Sequence, residues 1–262
     1  MQRTANPSTP VRFRPQPQIK KKMRKINLQE EKNFENRLAM GEDLRANQKK
    51  FYWATELETE LHNLMTTKKI TNKDILEIGC SGGEEAKKYV NYSKSYIGID
   101  ISDETIRNAD KLGLKNAKFL CTDGHSIPLP DNSVDCVVVN SLLHHLDLHK
   151  SFPEMNRVLK KNGSLIFREP LGTNPLLKLY RYLTPRARTN DERPFSLKDL
   201  SLMSKYFHVE EIQWFGFLSL ISVYIKSRKL RRFLSHLDKT LSKTYLRYFF
   251  WQFSGIARKK DL

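Results

Sequence analysis

Acidic residues recur at one place in three successive apolar runs, and their oxygens could bind a nucleoside. Glu77 lies in the run that starts at Asp74, Asp100 ends the second run, and Asp123 follows the third. An aspartate at the end of a second strand can accept two hydrogen bonds from ribose hydroxyls. Asp123 adds an acceptor suited to the exocyclic amine of adenine. This pattern predicts a nucleoside-containing ligand.

A glycine-rich turn, EIGCSGG at residues 77–83, follows the first run. Glycines there let a ligand approach the backbone N–H groups at the start of a helix. The turn lacks the G-x-G-x-x-G spacing of dinucleotide sites, because Ser81 and Glu84 stand at the third and sixth positions counted from Gly79. The carboxylates of Glu77, Glu84 and Glu85 would also repel a diphosphate. A cationic ligand is therefore favoured.

Short apolar runs alternate with amphipathic stretches from residue 74 onward, which predicts a parallel sheet with helices on both faces. The predicted strands are Asp74–Ile78, Tyr96–Asp100, Ala117–Cys121, Val134–Val139 and Ser164–Phe167. The predicted helices are Glu84–Val90, Asp103–Leu112 and Ser151–Lys160, with Asn162-Gly163 ending the last. Because parallel strands end at the same edge, the three acids should lie together.

The chain has 262 residues, and its net charge of +17 is carried by the two ends. Residues 1–25 contribute +8 and residues 226–262 contribute +9, so residues 26–225 are formally neutral. A neutral body argues against a nucleic-acid groove in the core, although the basic ends could bind phosphate. We therefore do not favour nucleic acid as a partner.

The amino-terminal segment, residues 1–25, is basic and proline-rich, and we expect it to be disordered, with Met23 as the natural start. Residues 26–70 are predicted to form a helical cover. Its apolar stripe, at spacings of three and four, comprises Trp53, Leu57, Leu61, Leu64 and Met65. Residues 71–262 would form the main domain, with inserts at 169–195 and 226–244.

Neither a disulfide framework nor a metal site is expected. Three cysteines, Cys80, Cys121 and Cys136, lack paired spacing. His145 and His149 have the i, i+4 spacing of a metal pair, but a third ligand is not apparent. The charge-free stretch at 212–225 is too short to cross a bilayer. We expect a cytoplasmic protein, with peripheral membrane contact as an open alternative.

The motifs resemble, in order and spacing, those of class I S-adenosylmethionine-dependent methyltransferases, especially the branch that acts on small molecules and lipids. The segments that carry the resemblance are ILEIGCSGGEEA, YIGIDIS, FLCTDGHSIPLPDNSVDCVVVNSLLHHL and EMNRVLKKNGSLIFREP. The resemblance covers residues 74–170. It implies a Rossmann-like α/β fold with a seven-stranded, mostly parallel sheet and an antiparallel last strand. Residues 209–215 and 249–258 would be strands six and seven.

The resemblance also implies S-adenosylmethionine as cofactor and assigns residues to it. Glu77, Gly79 and Gly83 would shape the methionine pocket, with Ser81 in place of the family's middle glycine. The ribose would be bound by Asp100 beside Ile101, the adenine by Asp123 and Gly124, and the sulfonium would lie near Asn140. The family chemistry requires no metal.

His144 and His145 are the candidate catalytic residues, because a hydroxyl acceptor would need a general base. Adjacent residues on a helix point about 100° apart, so at most one should face the cleft. A packing or capping role for either histidine is an equal alternative.

The two inserts should determine the acceptor. Insert 169–195 would overhang the methyl group as a lid and acceptor pocket. Insert 226–244 reads as an amphipathic helix whose basic start is formed by Lys226, Arg228, Lys229, Arg231 and Arg232. Its apolar stripe comprises Leu230, Phe233, Leu234, Leu237 and Leu241. It would pack on the protein's own body or contact an anionic membrane surface.

We therefore predict methyl transfer to a small-molecule or lipid-linked acceptor. The alternatives are a nicotinamide-dependent oxidoreductase on a similar sheet, an RNA methyltransferase that uses the basic ends, and an inactive scaffold that still binds the cofactor.

Overall fold

The structure is a computed structural model that describes residues 26–42, 53–187, 189, 192–224 and 227–261. The predicted disordered segment 1–25 lies outside the described residues, as do residues 43–52 of the predicted cover and Lys226 of the second insert.

One seven-stranded sheet organises the described chain, in the order β3-β2-β1-β4-β5-β7-β6. The strands are β1 Asp74–Ile78, β2 Ser95–Asp100, β3 Ala117–Cys121, β4 Val134–Asn140, β5 Leu159–Pro170, β6 Phe207–Phe215 and β7 Gln252–Lys259. Strands β1 to β5 pair in parallel, whereas β7 is antiparallel to both β5 and β6. The predicted fold class is confirmed.

Eight helices accompany these strands among the described residues. They are α1 Leu28–Ala39, α2 Glu56–Ile70, α3 Ala86–Tyr89, α4 Asp103–Asp110, α5 Leu148–Val158, α6 Pro175–Leu183, α7 Leu197–Tyr206 and α8 Arg228–Leu241. Short 3₁₀ helices span Leu143–His145, Pro185–Ala187, Leu218–Val223 and Tyr245–Phe249. Local sequence sets several starts: the Ser102 hydroxyl accepts the Thr105 N–H at the start of α4.

The core has two apolar layers, one on each face of the sheet. Leu76 and Val137 belong to the larger layer, while their neighbours Ile75 and Val138 belong to the other. Alternate residues of a strand point to opposite faces, so strands that are apolar throughout must be covered on both sides. Each fully buried side chain of this kind stabilises the fold by about 1.5–3 kcal/mol.

The predicted end of the helix Ser151–Lys160 was wrong. Helix α5 ends at Val158, because Leu159 is already extended and pairs with Val134 of β4. Asn162, at φ 63°, and Gly163 instead make an irregularity inside β5, where the register with β4 shifts. The asparagine–glycine pair was predicted to end the helix, but it lies within strand β5. The last strand also starts later than predicted, at Gln252.

Part of the apolar stripe predicted on the cover faces solvent, whereas Met65 packs against the core. Leu61 is 57% exposed and Leu64 is 66% exposed, whereas His62 and Thr66 are buried. Helix α2 therefore buries the polar side chains of His62 and Thr66 on the same body as apolar Met65 and Ile70. These buried polar groups have hydrogen-bond partners, since the Thr66 hydroxyl donates to the His62 carbonyl and the His62 ring is hydrogen-bonded to Asn140.

Helix α8 packs on the protein itself and is fixed by two buried charges. Both carboxylate oxygens of Asp238 accept backbone N–H bonds from residues 217–219. Arg231, expected on a solvated basic face, is buried instead. Its guanidinium lies 4.5 Å from the centroid of the Trp53 ring and donates to the Trp53 carbonyl. Within the described residues, no helix is long and apolar enough to span a membrane.

Candidate active site

A cleft opens at the edge of the sheet where β1, β2 and β4 end. Seven of the nine predicted cofactor residues line it: Gly79, Ser81, Asp100, Ile101, Asp123, Gly124 and Asn140. In the parallel sheet, Glu77 of β1 pairs with Gly98 of β2 and with Val138 of β4. This register brings the carboxyl ends of the three strands to the same level. The strand ends therefore meet at one edge of the sheet, as the sequence pattern predicted.

The other two predicted residues do not line the cleft. Glu77 is buried beneath the turn, where the Tyr96 hydroxyl donates to its carboxylate at 2.6 Å. Burial raises the pKa of Glu77 to about 8. Gly83 has φ +82°, and a Cβ there would lie 2.8 Å from a Leu112 methyl group. We infer that both residues support the conformation of the turn, Glu77 through its hydrogen bond and Gly83 through close packing.

The Asp100 carboxylate joins the two loops that form the floor of the cleft. Its Oδ2 accepts the Ser81 N–H at 3.0 Å and its Oδ1 accepts the Ser102 N–H at 2.9 Å. Burial raises the pKa of Asp100, and these backbone bonds oppose that rise. The carboxylate thereby fixes the glycine-rich turn while presenting its remaining acceptor capacity to the cleft.

The turn itself needs left-handed backbone at two positions. Gly79 has φ +77°, and a Cβ there would lie 2.8 Å from Leu142, in the loop after β4. Ser81 has φ 48°, a conformation that costs an L-residue about 1–2 kcal/mol. The strained serine keeps its N–H aimed at Asp100.

Asn140 is oriented by the cover, a contact that sequence reasoning missed. The Nε2 atom of His62 lies 3.0 Å from Asn140 Oδ1. Burial, with the nearby Arg168 charge, lowers the pKa of His62 to about 3, so the ring is neutral at pH 7. A neutral ring that carries its proton on Nε2 donates to Asn140. Because 78 residues separate the pair, no local signal identified His62.

The two candidate catalytic histidines belong to a 3₁₀ helix, Leu143–His145, rather than an α-helix. His145 lines the cleft, and His144 is not among the lining residues. Each Nδ1 atom lies 2.7 Å from a glutamate: Glu169 for His144 and Glu31 for His145. Burial raises the pKa of Glu169 to about 8, and backbone N–H bonds from residues 142–144 oppose that rise.

Sequence reasoning identified neither of these glutamates, because Glu31 comes from α1 and Glu169 from the end of β5. It also paired His145 with His149 as a candidate metal pair. His149 is exposed, unlike His145, and the pair does not form a buried site.

Charge in the cleft favours a cationic guest. Among the described residues that line it, Glu31, Glu35, Asp100 and Asp123 are acidic and none is lysine or arginine. A dinucleotide diphosphate would meet carboxylates without a compensating cation. An adenosyl sulfonium has ribose hydroxyls that can donate hydrogen bonds to the carboxylates. Its positively charged sulfur is attracted by their negative charge. The residues present therefore fit S-adenosylmethionine.

Comparison with known proteins agrees with this fit. Residues 76–167 match the family model described as a methyltransferase domain. The methyltransferase YcgJ of Bacillus subtilis is 31% identical over 97 residues, which are 35% of this chain and 38% of that protein. The ubiquinone/menaquinone biosynthesis C-methyltransferase UbiE of Pasteurella multocida is 30% identical over 122 residues, 41% of this chain and 44% of that protein. The chain thus spans about two fifths of the length of these curated relatives.

Among solved structures, geranyl diphosphate C-methyltransferase from Streptomyces coelicolor aligns with a TM-score of 0.59 at 15% identity, covering 78% of this chain and 80% of that one. This likeness shows the fold. The matched domain and the ordered strand-end motifs identify residues 76–167 as a class I S-adenosylmethionine-dependent methyltransferase domain.

Proposed function

We propose that this protein transfers the methyl group of S-adenosylmethionine to a small-molecule acceptor that carries an apolar or lipid part. The observation that carries the proposal is the acidic cleft, in which Asp100 and Asp123 lie at the ends of adjacent strands and no described lining residue is lysine or arginine.

The cofactor supplies an activated methyl group on a sulfonium, so the chain's residues have to bind, orient and exclude water. Asp100 would accept from the ribose hydroxyls, and Asp123 with the Gly124 backbone would hold the adenine. Asn140, fixed by His62, would form the floor beside the sulfonium. Glu77, protonated below a pKa of about 8, would support the turn without adding charge.

Binding of the product S-adenosylhomocysteine tests the first half of the proposal. Isothermal titration should give a dissociation constant in the micromolar range, about −8 kcal/mol, and NAD at the same concentration should give no heat. Heat with NAD and none with S-adenosylhomocysteine would favour the oxidoreductase alternative.

Two features support an apolar acceptor. Helix α6, in the insert that follows β5, exposes Leu179, Tyr182 and Leu183, with Tyr182 81% exposed. Similar proteins include UbiE, named for ubiquinone and menaquinone biosynthesis, and a sterol 24-C-methyltransferase of Gibberella zeae. Such acceptors would bring a large apolar surface to the lid.

A screen of cell extracts with labelled donor tests the acceptor class. The extracts are separated into lipid, small-molecule and RNA fractions, and we expect label in the lipid or small-molecule fraction. Label confined to RNA would overturn the proposed acceptor while leaving donor binding intact.

We also propose that the protein contacts an anionic membrane surface through α8 and the 3₁₀ helix before it. Phe233 is 59% exposed beside exposed Lys229 and Arg232, and Ile221 and Tyr224 are exposed nearby in the chain. Basic side chains beside apolar ones suit the headgroup boundary.

Pelleting with phosphatidylserine vesicles at low and high salt tests this contact. The double variant Lys229→Glu/Arg232→Glu should pellet less than wild type at low salt, since charge attraction is screened at high salt. Equal pelleting of the two proteins at low salt would remove the membrane from the proposal.

A further inference from the structure

A cluster of two histidines and a glutamate at the wall of the cleft has the composition of a metal site. His144, His145 and Glu192 each offer one ligand atom, and these atoms all lie within 4.8 Å of one another. His144 Nε2 is 3.8 Å from one carboxylate oxygen of Glu192, and His145 Nε2 is 3.9 Å from the other. These separations are too long for hydrogen bonds. Ligands that share one ion at about 2.0–2.2 Å lie about 3–4 Å apart.

The surroundings of the histidines are those of metal ligands. The Nδ1 atom of His144 is hydrogen-bonded to Glu169 at 2.7 Å, and the Nδ1 atom of His145 lies at ion-pair distance, 2.7 Å, from Glu31. The Nε2 atom of each ring lies within 4.0 Å of Glu192. Metal-ligating histidines nearly always donate their second ring nitrogen to a carboxylate or carbonyl, which fixes the tautomer. Glu169, the partner of His144, is itself held by the backbone N–H groups of Leu142 and Leu143.

Glu192 is also held in position. Arg181 donates to its Oε1 at 2.7 Å, which leaves Oε2 as the oxygen nearer His145. The guanidinium of Arg181 thus holds the Glu192 carboxylate beside the two imidazoles.

A general base does not account for this arrangement. A base needs one imidazole in the cleft and one carboxylate to orient it, which His145 and Glu31 already supply. The second histidine, its glutamate Glu169 and the shared Glu192 would be superfluous.

We propose that His144, His145 and Glu192 bind one divalent first-row transition-metal ion, of the zinc or ferrous type. Two imidazole nitrogens and one carboxylate oxygen suit these ions and leave coordination positions open. Since His145 lines the cleft, an ion bound to it would lie beside the cleft. The two histidines then act as ligands, rather than as the general base that the sequence suggested.

This site departs from the expectation that no metal is bound. The sequence offered His145 and His149 as a helical pair without a third ligand. In the structure His149 is not part of the cluster, and Glu192 is the third residue beside the two histidines. Glu192 comes from the insert between β5 and α7 and lies 47 residues beyond His145 in the sequence.

Metal titration of the untagged protein tests the proposal. The protein is dialysed against chelator and then titrated with Zn²⁺ and with Co²⁺, recording heat and the visible absorption of cobalt. We expect one ion per chain, with a dissociation constant of about 1 μM or tighter. Glu192→Gln should weaken binding at least about tenfold, as should Glu31→Gln through the orientation of His145.

His149→Ala is the matched control, because this exposed histidine is near in sequence but outside the cluster; it should bind as wild type does. Thermal unfolding of each metal-free variant reports whether it folds. Wild type that binds no ion in one-to-one ratio would overturn the proposal, and so would binding equally strong in folded Glu192→Gln. S-adenosylhomocysteine binding to the metal-free protein separates failure of this site from failure of the proposed function.

Discussion

The cleft has two sides that are built in different ways. At the strand edge, Asp100 takes its partners from Ser81 and Ser102, both in loops that directly follow β1 and β2. At the cover, each important contact joins distant parts of the chain. His62 meets Asn140 across 78 residues, and Glu31 of α1 meets His145.

The difference lies in how the geometry is fixed. Strand ends are aligned by ladders of backbone hydrogen bonds, so their arrangement follows from strand order. Cover residues are placed by the packing of whole helices, and a small change in packing would move them. The edge should therefore account for most of the affinity for S-adenosylmethionine, and the contacts of the cover should change this affinity by a smaller amount.

The largest effect is expected at the edge, from Asp100→Ala. The variant removes the ribose acceptor and leaves the Ser81 and Ser102 N–H groups without their partner. Loss of two charge-assisted hydrogen bonds should weaken S-adenosylhomocysteine binding at least about 100-fold. Calorimetric titration measures this change. Asp110→Ala, at the exposed end of α4, is the control and should bind as wild type does; similar affinities for both variants would contradict the role of the edge.

A smaller effect is expected from the cover, in His62→Leu. The variant leaves the Asn140 side chain without its donor at 3.0 Å. We expect binding about tenfold weaker and a free energy of unfolding lower by about 1–3 kcal/mol. Leu64→Ala, on the exposed face of the same helix, should change neither quantity. If His62→Leu bound the ligand as tightly as wild type, the cover would not orient the edge.

The pH dependence of stability should have opposite signs on the two sides. The pKa of Glu77 is raised to about 8, so the native state holds its proton more tightly than the unfolded chain does. Its contribution is complete below pH 4.5 and is lost as the pH rises through 8. The pKa of His62 is lowered to about 3, so its contribution is present above pH 6.5 and is lost as the pH falls toward 3.

Denaturant unfolding at several pH values measures both limbs. Between pH 5 and pH 9 the free energy of unfolding should fall in both proteins. The fall should be smaller in Glu77→Gln than in wild type, by on the order of 2 kcal/mol. Part of the slope should remain, since the pKa of Glu169 is raised in the same way. Glu84→Gln, exposed on the same turn, serves as control. Parallel pH curves for Glu77→Gln and wild type would show that Glu77 is not protonated in the fold.

The smallest effect is expected from Ser81→Gly. Glycine adopts φ 48° without the cost that serine pays, so stability should rise by about 1 kcal/mol. The backbone N–H that donates to Asp100 remains, and the affinity for S-adenosylhomocysteine should change less than about threefold. Ser126→Gly, at an exposed site with ordinary φ, should instead lower stability. A stability loss in both variants would mean that Ser81 is not strained.

The sequence by itself determined the sheet and the strand-end residues of the cleft. Apolar runs that alternate with helices specify a parallel sheet, and a parallel sheet brings Gly79, Asp100, Asp123 and Asn140 to one edge whatever covers it. Only the tertiary structure decided that Leu61 faces solvent while His62 faces the sheet, and that Glu192 meets two histidines. The physical reason is that backbone ladders follow local pattern, whereas contacts between distant segments depend on which helix faces pack.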